Sequence, residues 1–143
     1  MLIAEKSTLV AASRERVLDA VLDPEAYTKV DTKVSTIEVT ERVPEGMVAR
    51  IHGQFGPVKS SILARYTMND RGVDLQMLEG RLRGFHAVFL LDPVEGGTRL
   101  THREEYDFGY PLVTPLVEVM LRGWAQRSVE AEVESLKRAA EGA

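Results

Sequence analysis

The chain has no cysteine among its 143 residues, which removes disulfides, thiol nucleophiles and cysteine-ligated metals from consideration. Aromatic residues make up only 6%, so few large rings are available to fill an interior. No run approaches the roughly 18 apolar residues that a membrane span needs. The opening MLIAEKSTLV lacks the basic-then-apolar order of a secretion signal. A cytoplasmic protein is therefore the expectation. Positive charge is short as well: 18 Lys and Arg stand against 22 Asp and Glu, a net charge of −4. With no basic excess to neutralise phosphates, nucleic acid is not an expected partner.

What is present is the composition of a soluble globular protein, 44% hydrophobic and 28% charged. One domain over residues 1–143 is expected, long enough to bury about two-thirds of its unfolded surface. Leu2 to Ala12 alternates weakly and reads as a strand. In SRERVLDAVLD the period lengthens: Val17, Leu18, Val21 and Leu22 share a helical face, and Ser13 is placed as N-cap. Asp23-Pro24 restarts a second short helix with proline at its first position. From about Ser35 to Phe108, six alternating segments are cut by PEG, FGP, NDRG, EGRLRG and DPVEGG. Gaps this short leave no room for crossover helices, so the segments should form an antiparallel meander. Thr114 can cap a last helix that starts at Pro115 and runs to about Ala140, roughly 39 Å at 1.5 Å per residue.

Residues paired across a hairpin share a face of the sheet. Opposing Leu91 to Thr98 puts Phe85, Ala87, Phe89 and Leu91 on the face of Leu100, His102 and Glu104. Opposing Met68 to Val73 adds Ile62, Ala64, Tyr66, Met68, Leu75 and Met77, and Met47, Ala49, Ile51 and Phe55 complete an apolar inner surface. On this register His52 and His86 point out and His102 points in. The segment THREEYDF thus aims a histidine and a carboxylate at a core, where an unpaired polar group costs several kcal/mol. Either a wet or ligand-filled cavity or a mutual pairing must satisfy them.

The last helix shows two stripes. Val117, Met120, Leu121, Trp124, Ser128 and Ala131 should lie on the sheet, while Val129, Val133, Leu136 and Ala140 fall nearly opposite and should meet another element. Gly123 permits a bend or is merely tolerated. One helix about 10 Å wide cannot cover a strongly curved meander with equally tight contacts. Inner positions such as Ala49, Gly53, Ala64 and Ala87 are small, so a cavity is expected.

This order of elements resembles the helix-grip fold of the START-like, or SRPBCC, superfamily. AASRERVLDAVLDPEAY is similar to the opening of its polyketide cyclase/dehydrase-like branch, and FLLDPVEGGTRLTHREEYDF to that branch's last hairpin. The resemblance spans nearly the whole chain. It implies an α+β fold: a curved antiparallel sheet of about seven strands wrapped around a long C-terminal helix, with two short helices after strand one. Many relatives carry a Trp that closes the cavity shortly after the tyrosine matching Tyr27, where this chain has Val30. The resemblance also implies a deep apolar cavity without a shared catalytic triad, so function does not follow from fold.

The first functional expectation is a carrier or sensor for a small hydrophobic ligand. Its lining would be Ile51, Ala64, Tyr66, Met68, Leu75, Met77, Phe85, Ala87, Phe89, Leu100, His102, Glu104, Tyr106, Val117, Met120 and Trp124. The alternative is an aldol-type cyclase or dehydratase, with His102 or Glu104 as base and Tyr66 or Tyr106 as donor to an enolate oxygen. A third class is an interaction domain, or homodimer, docking through the outer helix stripe. No cofactor is required. Metal is not expected either, since His102 and Glu104 supply two donors where a catalytic zinc site wants three. Arg81 and Arg83 could grip an anion or simply be solvated.

Overall fold

Turn chemistry fixes where the chain reverses. Asn69 Oδ1 accepts hydrogen bonds from the backbone N–H of Arg71 at 2.8 Å and of Gly72 at 3.1 Å, closing one hairpin. A Cβ on Gly72 would lie 1.8 Å from the carbonyl oxygen of Phe89, and one on Gly97 would lie 2.0 Å from that of Val10. Both turns therefore need a residue without a side chain.

The computed structural model describes residues 1–26, 34–55, 58–109 and 115–142. Its elements are β1 (Leu2–Val10), α1 (Arg14–Val21), β2 (Val34–Val43), β3 (Gly46–Phe55), β4 (Val58–Asn69), β5 (Gly72–Glu79), β6 (Gly84–Val94), β7 (Gly97–Asp107) and α2 (Pro115–Gly142). Ser13 caps α1, its side chain accepting from the backbone N–H of Arg16. The expected second short helix is a single 3-10 turn at Pro24–Ala26. Val30 and Thr114, and with them the departure from the family pattern and the cap of the last helix, lie outside the described residues.

The strands form one antiparallel sheet in the order β1-β7-β6-β5-β4-β3-β2. The six-strand meander is present, and β1 joins it beside β7. Met68 opposes Val73 as expected. Leu91 opposes Leu100 rather than Thr98, a slip of two that leaves every side chain on its expected face because strand facing has period two.

The long helix differs from expectation. Val117 and Met120 are 42% and 64% exposed, whereas Val129, Val133, Leu136 and Ala140 are buried. The buried face instead runs from Ser128 at one border to Val133 and Ala140 at the other, with Ala125 and Glu132 on its midline. With small and polar residues on that midline, the face looked in sequence like two separate stripes. α2 lies along β1, and its second half meets α1.

Two apolar clusters result. One joins Val17 and Val21 of α1 to Met47, Tyr66, Val73, Leu91 and Leu100 of the sheet and to Val133 and Leu136. The other gathers Leu2, Ala4, Tyr106, Ala125 and Val129, with Phe85, Phe108, Leu121 and Trp124 against them. No helix among the described residues is long and apolar enough to cross a membrane.

Candidate functional site

Between the two clusters lies a polar layer. Alternation along β7 turns His102, Glu104 and Tyr106 to the helix side, and α2 meets them with Glu132. His102, Glu104 and Glu132 are 1%, 3% and 4% exposed. Nε2 of His102 is 2.7 Å from Oε2 of Glu132 and 3.4 Å from Oε2 of Glu104. Neither contact has hydrogen-bond geometry at Nε2, so they are ion-pair contacts rather than aligned bonds. The Tyr106 hydroxyl donates to Oε1 of Glu104 at 2.6 Å. Nδ1 of His102 lies 3.1 Å from the Val88 carbonyl oxygen, and since a carbonyl only accepts, Nδ1 carries a proton. Phe89 stacks on the imidazole with centroids 4.0 Å apart and planes 6° from parallel.

Burial by itself would lower the pKa of this imidazole. Glu132 and then Glu104 outweigh that effect and push it up to about 10, so His102 carries a proton on both nitrogens at neutral pH. The buried pair therefore finds a partner in a third side chain, supplied by the helix. Sequence patterning did not single out Glu132, although an acid flanked by Val129, Val133 and Leu136 was the available signal.

Away from this layer the inner face opens. At the α1 end, Val10, Met47, Val73, Leu91 and Leu100 are fully covered. At the other end Ile51, Ile62, Met77, Phe85, Leu121 and Trp124 remain half-buried. The rings of Phe85 and Trp124 lie 5.0 and 6.4 Å from that of Tyr106, so the polar layer underlies this apolar mouth.

The expected site residues divide accordingly. Ile51, Met77, Phe85 and Trp124 border the open end. Ala64, Tyr66, Leu75, Ala87, Phe89 and Leu100 are sealed in the core. Met68 is half-buried at the β4–β5 turn. Val117 and Met120, near the start of α2, are exposed rather than buried against the sheet. Tyr66 is in the same row as Glu104, three strands away across the sheet, and is fully buried. His52 and His86 face outward as expected, beside Glu38 at 3.6 Å and Asp74 at 3.1 Å. Arg83 is exposed and lies 3.5 Å from Asp107, and Arg81 is exposed. The outer stripe of the interaction-domain alternative is buried, which removes that docking surface. Glu132 also brings the donors in the layer to three, one more than expected.

Several solved structures share this architecture. TTHA0849 from Thermus thermophilus superposes with a TM-score of 0.83 at 19% identity, each chain covered to 96%. A START superfamily protein from Mycobacterium smegmatis gives 0.77 at 18% identity, covering 98% of this chain and 97% of that one. The Zhui aromatase/cyclase from Streptomyces sp. R1128 gives 0.81 at 17%, covering 97% and 93%. These likenesses establish the helix-grip fold. No curated protein matches the chain by sequence. A sheet gripping a long helix over an apolar mouth agrees with what the sequence profile of one family detects from residue 1 to residue 141, and the chain belongs to that family, polyketide cyclase / dehydrase and lipid transport.

Proposed function

We propose that the protein binds a small hydrophobic ligand at the open end of the grip, between α2 and strands β3 to β6. Family membership leaves two kinds of activity, ligand binding and polyketide cyclisation. One observation favours binding: the inner face grades from sealed at the α1 end to half-buried apolar side chains at the other, while the acid and base groups beneath are occupied with one another. Half-buried Ile51, Ile62, Met77 and Phe85 offer hydrocarbon to a guest at little cost in core packing. A base at 1% exposure, already ion-paired, is badly placed to take a proton from a substrate.

The sole tryptophan, Trp124, borders the mouth and reports on it. Native mass spectrometry of the purified chain should show a co-purified apolar molecule. Its removal and re-addition should change Trp124 emission saturably, and Ile62→Gln should weaken that response about tenfold without lowering the unfolding temperature by more than a few degrees. Turnover of a poly-β-keto substrate that Glu104→Gln abolishes would overturn the binding reading in favour of the cyclase.

A further inference from the structure

We propose that His102, Glu104 and Glu132 form a binding site for one divalent transition-metal cation, held by the imidazole Nε2 and an oxygen from each carboxylate. This inference stands apart from the ligand at the mouth. The three side chains place one donor atom each within 4.8 Å of one another, from a strand and a helix that meet only in the folded chain.

The second observation concerns the imidazole. Its Nδ1–H is held by the Val88 carbonyl, and Phe89 fixes the ring plane, so Nε2 is the nitrogen turned to the carboxylates. That is how proteins orient a metal-binding histidine. Nε2 is buried and lacks a partner of hydrogen-bond geometry, although two carboxylate oxygens lie close to it. A cation between nitrogen and oxygens takes the Nε2 lone pair and needs no such N–H alignment. It displaces the proton that Nε2 otherwise carries at neutral pH, which passes to solvent, so binding strengthens as pH rises. Tyr106 holds the other oxygen of Glu104 at 2.6 Å, as supporting groups hold a ligating carboxylate. One nitrogen and two oxygens, without sulfur, suit Zn²⁺ and disfavour Cu⁺.

The test uses the full chain, treated with EDTA and equilibrated separately against Zn²⁺ and Mg²⁺, with bound metal counted by plasma mass spectrometry. One Zn²⁺ per chain is expected, at least about tenfold tighter than Mg²⁺, with a raised unfolding temperature. Glu132→Gln should bind about tenfold or more weakly. Because that variant could fold poorly, the wild type labelled with ¹⁵N-histidine gives an independent reading. Zn²⁺ should move the Nε2 resonance of His102 and leave His52 and His86 in place. The proposal is overturned by absence of retained zinc, by equal retention in a folded Glu132→Gln, or by a shift at His52 or His86 with His102 unmoved.

Discussion

At the scale of single residues, the polar layer dominates. With chelator present, His102 keeps a folded pKa near 10 against 6.5 for a free imidazole, so the folded state holds the proton more tightly. The resulting stabilisation is complete below pH 6.5 and is lost as pH rises through about 10. The unfolding temperature should therefore fall across that window, and His102→Gln should flatten the fall. A pH-independent wild-type curve would contradict the ion pairing. His102→Ala leaves two buried carboxylates without their imidazolium and should cost about 3–5 kcal/mol by urea denaturation. The inward aim of His102 and Glu104 was legible because strand alternation is strict. Glu132 was not, because a carboxylate on a helix reads as solvated until its neighbours around the turn are known to be buried.

At the scale of elements, α2 is the instructive case. The borders of its buried face, Ser128 on one side and Val133 and Ala140 on the other, fall in different stripes, and a period of 3.6 cannot tell a wide face with a polar midline from two narrow ones. Leu136→Ala should cost about 2–5 kcal/mol, whereas Leu116→Ala, 69% exposed in the first turn, should stay within about 0.5 kcal/mol. Equal losses would place the helix wrongly. The strands were easier, since turn residues and alternation together leave little choice of hairpin. What they did not reveal is how the sheet's two free edges are managed. Gln126 donates to the Glu5 carbonyl at 2.8 Å and accepts from its N–H at 3.3 Å, occupying the rim of β1. Register breaks between Val34 and Thr36 and between Val39 and Glu41 interrupt β2. Both devices deny another chain a continuous ladder.

At the scale of the molecule, one end of the grip is sealed and the other is not. Backbone amides of α2 beyond Ala125 should exchange hydrogen far more slowly than those before Leu121, by about tenfold or more, because only the former cover a fully buried core. Uniform protection along the helix would argue against an open end. The fold was legible because its order of elements is distinctive, whereas the ligand is not legible, because apolar side chains record the size of a guest and little of its identity. The acid–imidazole layer also acts as an index pin. Were α2 to slide by one turn, about 5.4 Å, Glu132 would be driven among aliphatic side chains at a cost of several kcal/mol. The helix cannot move as a piston, because this layer fastens its rear half to β7.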